Sequence, residues 1–324
     1  MKVTGLLAAF AVIAVIGLLP TILGGQWIGI FISTTCFAFA AMGAGFMYSR
    51  LGMVSLAQVA LMGLGGWVTL RLNHATDLPF EVNLLGGAVA TAVLGMLLAL
   101  PALRMRGLYL ALVTLMVAGG LEVVFTAFQF PNGGAGFWGV GTSFSAPMRR
   151  PTIAPDDANY LRYCLAVLVL GFLLIEAHRR SAPGRAWALI RRSEAAALAS
   201  GVNVTFYKTW AFGLSGLLAG AGGGLLAASL GLLDAATFRA SESVLLFALV
   251  IVGGARFWYG AILTAFLYRV APGLLNTWGV DADLALVFFG AALLHAVMTA
   301  PDGIAGQIND LLGKVRKEQT RDRA

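Results

Sequence analysis

The sequence has little charge for its length of 324 residues: Asp, Glu, Lys and Arg together make up 11% of it, against roughly 25% in a typical soluble domain. Hydrophobic residues make up 59%, and the mean hydropathy is +0.85. A soluble protein of this length could not bury so much apolar surface. We therefore expect lipid to cover it, which predicts an integral membrane protein.

The sequence also has few residues that build metal or redox sites. Its two cysteines, Cys36 and Cys164, each lie in an apolar run, and its three histidines are scattered. Neither set has the spacing of metal ligands, and we expect no disulfide. The sequence contains no nucleotide-binding loop and no basic patch with interleaved aromatic residues. We therefore expect no catalytic residue, no cofactor and no nucleic-acid partner.

What the sequence does contain is a succession of long apolar runs. They predict an all-α, polytopic membrane helix bundle with about ten transmembrane segments. The eighth and ninth are short, so complete spans and broken or re-entrant helices both remain open. The predicted segments are Val3–Leu23, Trp27–Tyr48, Met53–Leu72, Val82–Met105, Leu108–Gln129, Tyr160–His178, Thr209–Leu232, Val244–Gly254, Ala261–Leu275 and Leu284–Thr299.

The distribution of basic residues predicts the orientation of these segments. With the N-terminus in the cytoplasm, sixteen of the 22 Lys and Arg residues fall on the cytoplasmic side. Cytoplasmic loops of membrane proteins carry this excess. The even segment count then places both termini inside, with a transmembrane domain over residues 1–310 and a basic cytoplasmic tail over 311–324.

The longest predicted cytoplasmic loop, residues 179–208, contains a short helix signal. Ser193 is a good N-cap, Glu194 suits the first turn, and Gly201 is a natural stop. The alanines between them favour a helix over Glu194–Ser200, preceded by Arg191 and Arg192. A small, smooth helix of this kind suits docking into a groove of a soluble partner. The residues alone are also compatible with a plain connector on the membrane surface.

Five separated segments resemble one family. EAAALASGVNV is similar to the EAA-type coupling motif of ABC importer permeases. The wider stretch from GRAWALIRR to GAGGGLL resembles the branched-chain amino-acid ABC permeases, specifically the larger, M-type permease subunit. MYSRLGMVSLAQVALMGLGGWV, ALPALRMRGLYLALVTL and MTAPDGIAG resemble further segments of that family in the same order. The resemblance covers residues 30 to 310 approximately.

The resemblance implies a transmembrane permease subunit of a bacterial ABC importer in the inner membrane, and not an enzyme. It implies a paralogous permease, two ABC ATPase subunits and an extracytoplasmic substrate-binding protein as partners. It assigns ATPase coupling to Arg191, Arg192, Glu194, Ala195, Ala196 and Gly201. The implied solutes are branched-chain or related amino acids.

Three local departures leave the solute open. Ala57 and Gln58 stand where the family usually has Gly-His, Arg256 and Phe257 interrupt a glycine-rich stretch, and PNGGAGFWGVG replaces a Thr-Gly-Gly segment. A permease of the same family for urea, amides or other small organic solutes is the alternative. A stand-alone channel or secondary transporter is a further one, although the spans offer almost no ion-coupling acidic or basic pair.

Polar residues inside the apolar spans are candidates for a translocation path. Ser55 and Gln58 are three residues apart and would share a helical face, with Gly63 following. Glu122 is a carboxylate within the fifth span and should avoid lipid. Thr114 is a weaker candidate. Close helix packing is the alternative for the third-span residues, and a structural carboxylate near the outer interface is the alternative for Glu122.

Two further patterns concern packing and repetition. Gly216, Gly220 and Gly224 form a small-residue stripe, which predicts close helix contact, with a subunit interface as one possible location. SLAQVALMGLGG, starting at Ser55, and SVLLFALVIVGG, starting at Ser243, share Ser, Ala-Leu and Gly-Gly at equal spacing. Transporters are often built from internal repeats, so this similarity suggests one.

Overall fold

The computed structural model describes residues 24–102, 107–128, 148–279 and 303–310, together with isolated positions elsewhere. Four predicted features lie outside the described residues, except for a few isolated positions within them. They are the first and last segments (Val3–Leu23 and Leu284–Thr299), the glycine-rich loop PNGGAGFWGVG and the tail 311–324.

The described residues are mostly helical and contain no strand. A 3₁₀ turn covers Ala235–Phe238, and a π-helical stretch covers Phe266–Val270. The helices are α1 (Gly25–Leu51), α2 (Gln58–Ala75), α3 (Phe80–Ala102), α4 (Leu108–Phe128), α5 (Asp157–Arg180), α6 (Ala182–Arg192), α7 (Glu194–Ala199), α8 (Val204–Leu230), α9 (Ala240–Gly253), α10 (Gly260–Ala265), α11 (Ala271–Thr277) and α12 (303–310).

Five helices of the described part are long and apolar enough to cross a membrane: α1, α3, α4, α5 and α8. The predicted all-α polytopic membrane bundle is therefore confirmed. Helices α9 and α10 are shorter, as expected for the eighth and ninth segments. The total of ten segments stays a prediction.

Burial separates central helices from peripheral ones. Helices α1 and α8 are buried along most of their length, whereas α3, α4 and α5 expose large apolar side chains such as Met116, Val123 and Leu170. A helix that is apolar all round and half exposed suits contact with lipid on one face and protein on the other. The α1–α8 pair therefore forms the centre of the bundle.

The two ends of the bundle are defined by different connections. Residues 181–203, which we call the helical loop, carry α6 and α7 and pack against the C-terminal part of α1. At the opposite end, the Arg150 guanidinium donates to the backbone oxygens of Ala228 and Ser229, and the Arg149 backbone N–H donates to Asn73 Oδ1 at 3.0 Å. We call these the loop end and the far end.

The N-terminus of α5 at the far end is capped as the sequence favours. Asp156 accepts the backbone N–H of Asn159 at 3.1 Å, which satisfies one of the free donors of the first turn. Hydrogen bonds from the Asn159 backbone and side chain lower the pKa of the Asp156 carboxyl.

One local expectation is wrong. The third segment does not begin as a helix at Met53, because residues 52–57 are non-helical and α2 starts at Gln58. Ser55 therefore shares no helical face with Gln58. Pro183 and Gly184 follow closely on Ser181, the C-cap residue of α5. They lie in the first turn of α6, where proline is tolerated because its missing N–H would have no helical partner.

Candidate coupling surface and translocation path

Helix α6 fixes the helical loop to the bundle. Its Ala186, Trp187 and Ile190 are buried, and Trp187 is 0% exposed. The Trp187 Nε1–H donates to the backbone oxygen of Tyr207 at 2.9 Å, and the ring meets Phe46 of α1 edge-on at 4.9 Å between centroids. We did not predict Trp187 as a functional residue from the sequence. The spacing of the three apolar residues between exposed arginines was the available signal.

Helix α7 is short and held at both ends. Ser193 Oγ accepts the Ala196 N–H at 3.2 Å as the N-cap. Glu194 Oε1 lies 2.5 Å from Lys208 Nζ of α8, and the Lys208 side chain is only 6% exposed. Because a buried ammonium group needs a partner of opposite charge, this ion pair ties the start of α7 to the bundle.

The end of α7 requires a left-handed residue. Gly201 has φ +76°, and its N–H donates to Leu198 O at 3.0 Å, while the Val202 N–H donates to Ala197 O at 2.9 Å. A side chain at position 201 would meet no atom within 4 Å. The constraint there is the backbone conformation rather than space.

The outward face of α7 is apolar and made of small side chains. Ala195, Ala196 and Ala199 are exposed, Leu198 is 62% exposed, and Ala197 points inward and is buried. Arg191 and Arg192 at the end of α6 are exposed beside it. The structure thus places the predicted coupling residues on one surface at the loop end, except that Glu194 turns toward Lys208.

The non-helical residues 52–57, which we call the break, lie between α1 and α2, and hydrogen bonds from other helices hold them there. The Leu56 N–H donates to Thr114 Oγ1 of α4 at 2.9 Å, and the Val59 N–H donates to Ser243 Oγ of α9 at 3.1 Å. Gln58 Nε2 donates to Ser215 Oγ of α8 at 2.7 Å. Hydroxyl groups from three helices therefore satisfy the donors of this break.

Gln58 is also the site of an unusual polar atom. The residue is 2% exposed, and its Oε1 has no hydrogen-bond partner among the described residues. Ser55 is buried in the non-helical residues 52–57 that precede α2. The structure therefore places Gln58 and Thr114 at the same break, and Ser55 lies three residues before Gln58 in the chain.

Gly63 and Glu122 lie elsewhere. A Cβ on Gly63 would come within 2.8 Å of the rings of Phe125 and Phe238, so this face of α2 is closed by aromatic packing. Glu122 Oε2 accepts the Ala240 N–H at 2.8 Å. A carboxylate at the first turn of a helix is stabilised by the free N–H groups there, so Glu122 caps α9 from the neighbouring helix.

The glycine stripe of α8 faces helices of the same chain. A Cβ on Gly216 would come within 2.7 Å of the Thr91 backbone oxygen, and one on Gly220 within 2.6 Å of Thr91 Oγ1, both in α3. A Cβ on Gly224 would approach Leu84 and Thr69 at 2.6 Å. These positions let backbones approach closely within the chain rather than between subunits.

Comparison with known proteins places these features in a family. Residues 26–297 match the family described as branched-chain amino acid transport system / permease component. The chain belongs to this family. As such a permease it is a multi-pass membrane protein and a subunit of an ABC importer. ATP hydrolysis takes place on separate ATPase subunits.

Two curated relatives of the permease are similar over most of its length. Both are named high-affinity branched-chain amino acid transport system permease protein LivM. The protein from Salmonella typhimurium (strain LT2) is 27% identical over 293 residues, covering 84% of this chain and 68% of the relative. The protein from Escherichia coli (strain K12) is 26% identical over 291 residues with the same coverage. No solved structure matches.

Proposed function

We propose that this permease imports branched-chain or related amino acids across the bacterial inner membrane. In this proposal it pairs with a paralogous permease, an extracytoplasmic binding protein delivers the solute, and two ATPase subunits dock on the cytoplasmic side. The solute assignment is supported by the names of the two relatives.

The surface of α7 is the observation that carries the coupling part of the proposal. Its exposed face is apolar and nearly smooth, and it projects from a loop that Trp187 and the Glu194–Lys208 pair fix to the bundle. An exposed apolar patch rimmed by polar residues is typical of a protein interface. A helix held in this way can transmit a displacement of a docked ATPase into α8, because the Glu194–Lys208 ion pair joins α7 to α8.

The substitution Gly201→Asp tests this docking role. It adds a charge beside the exposed face of α7, so we expect uptake of radiolabelled leucine to fall at least tenfold in a strain that lacks its own transporter. The matched control is Gly201→Asn, because Asn tolerates the left-handed backbone without adding charge. Undiminished uptake by a Gly201→Asp protein present at the wild-type level in membranes would contradict the docking role.

The solute is tested separately with the wild-type transporter. We expect unlabelled isoleucine and valine to compete with leucine uptake, and urea and simple amides to have no effect. Uptake of radiolabelled urea or an amide, with no uptake of leucine, would assign the permease to the alternative solute class and leave the coupling mechanism intact.

A further inference from the structure

A cavity of about 230 Å³ lies at the loop end, separate from the outward face of α7 and from the break at Gln58. It is enclosed by the C-terminal parts of α1 and α5 and by the turn that joins α9 to α10. Most of its walls are apolar, and none of the candidate path residues lines it. The main apolar contributions come from Met42, Phe46, Val169, Phe172, Leu173 and Trp258.

The charged residues of the cavity are mostly basic. Among the described residues, Arg50, Arg179 and Arg256 line it together with one acidic residue, Glu176. They belong to α1, to α5 and to the α9–α10 turn, so each enclosing element contributes a charged group. The cavity therefore combines a net positive rim with an apolar interior.

The Glu176 carboxylate is already engaged by arginines. Glu176 Oε2 accepts the Arg179 Nε–H at 2.5 Å. Glu176 Oε1 accepts hydrogen bonds from Arg179 Nη2 and from Arg180 Nε, the latter at 2.6 Å. An ammonium group entering the cavity would have to displace one of these arginines. A zwitterionic amino acid is thus a poor fit, whereas an anion with an apolar tail meets both the rim and the walls.

We propose that this cavity binds an anionic phospholipid, with the phosphate at Arg50 and Arg256 and an acyl chain against the apolar walls. Basic pockets between membrane helices on the cytoplasmic side suit acidic lipid headgroups. Placing the cavity in the cytoplasmic leaflet rests on the proposed orientation of the permease. The chain's own C-terminal tail is a poor occupant, since residues 311–324 contain five basic and two acidic residues.

The location of the cavity gives the lipid a role in coupling. Helix α5 continues through Ser181 into α6, and α1 continues into the break before α2. A lipid phosphate shared by α1 and the α9–α10 turn would hold these elements against α5. The bound lipid would therefore steady the part of the bundle from which the helical loop projects.

Lipid retention by the purified transporter tests the proposal. The complete complex of permease and partner subunits is incubated with dioleoyl-phosphatidylglycerol or dioleoyl-phosphatidylcholine, and bound lipid is counted by native mass spectrometry. We expect selective retention of phosphatidylglycerol. Arg50→Gln removes one phosphate ligand, and Ala261→Phe fills the cavity without changing its charge. Arg50→Gln should weaken retention about tenfold, as loss of a hydrogen bond to a charged group does. Ala261→Phe should weaken it because the added ring occupies the space of the acyl chain.

The matched control is Arg185→Gln, which removes an exposed basic residue of α6 that does not line the cavity. We expect it to retain phosphatidylglycerol like the wild type. Equal retention of the two lipids by the wild type would overturn the proposal. So would wild-type retention by both cavity variants, or an equal loss in Arg185→Gln, which would indicate diffuse surface attraction.

A further arm separates lipid from soluble phosphate esters. Excess glycerophosphate should leave phosphatidylglycerol bound, because the acyl chain contributes to affinity. Complete displacement would overturn the lipid assignment in favour of a soluble ligand. Leucine uptake is measured with the same variants. Because lipid retention does not depend on the solute, the lipid proposal and the proposed transport function can fail independently of each other.

Discussion

At the scale of single residues, Trp187 is the side chain on which the position of the helical loop depends most. It is fully buried against Phe46 and bonded to the Tyr207 backbone. We expect Trp187→Ala to destabilise the permease by about 3–5 kcal/mol, as truncation of buried aromatic residues does. The apparent melting temperature of the solubilised protein measures this. Trp210→Ala removes a partly exposed ring of α8 and should have a smaller effect; an equal drop would refute the special role of Trp187.

The Glu194–Lys208 pair allows a second prediction at this scale. Glu194→Gln leaves the buried Lys208 ammonium without its carboxylate, and we expect a loss of about 1–3 kcal/mol. Glu194→Gln combined with Lys208→Met removes both charges and should recover part of that loss. Thermal unfolding of the four proteins of this cycle gives the coupling energy. Additive losses would show that the two side chains do not stabilise one another.

Residue-level roles were predictable only where the signal was local. Ser193, Glu194 and Gly201 lie within eight positions of one another, so capping rules alone place a short helix between them. Lys208, which pairs with Glu194, is fourteen residues away from it in the chain. Leu56 and Thr114 are 58 residues apart, and Val59 and Ser243 are 184 residues apart. Contacts of that separation follow from tertiary packing and leave no trace in a single sequence.

At the scale of helices, the packing of α2 against α8 depends on paired glycines. A Cβ on Gly65 would overlap the Gly220 backbone. We expect Gly65→Ala to force the helices apart and cost about 1–3 kcal/mol, as overpacking does. Gly120→Ala in α4 is the control, since a Cβ there meets nothing within 4 Å and alanine favours a helix. Thermal unfolding that ranks the two variants in the reverse order would exclude this packing argument.

Helix boundaries show where hydropathy succeeds and fails. Long spans such as α1 and α8 were predicted to within five residues at each end, because lipid and core both select apolar side chains over most of their length. The break before α2 was missed, since Met53–Ala57 is as apolar as the helix that follows and hydropathy does not report backbone conformation. Helix α6 was missed for the opposite reason: its arginines concealed a buried apolar stripe.

At the scale of the whole molecule, the two similar segments found in the sequence run in opposite directions. Both begin near the Val59–Ser243 hydrogen bond. From the end of the first segment, α2 continues to the far end, where Asn73 contacts Arg149. The segment in α9 ends beside Gly45 near the loop end. Inverted repeats are common in transporters, and the internal repeat stays a prediction here. The sequence alone indicated no relative direction for the two segments.

The orientation of the permease gives a prediction at this scale. Cys36 and Cys164 are both buried, so introduced cysteines can be labelled selectively. A membrane-impermeant maleimide should label Ile153→Cys at the far end in intact spheroplasts. It should label Arg185→Cys in the helical loop only after permeabilisation. Labelling in the reverse pattern would place the helical loop outside and make ATPase docking there impossible.

The break before α2 restricts which motions the permease can use during transport. Its Leu56 and Val59 amides rely on hydroxyls of α4 and α9, and Gln58 on one of α8. Pulling these helices apart would strand several polar groups in an environment without water, at several kcal/mol for each group. We therefore expect the four helices to travel as a single rigid block, with alternating access opening along the borders of that block.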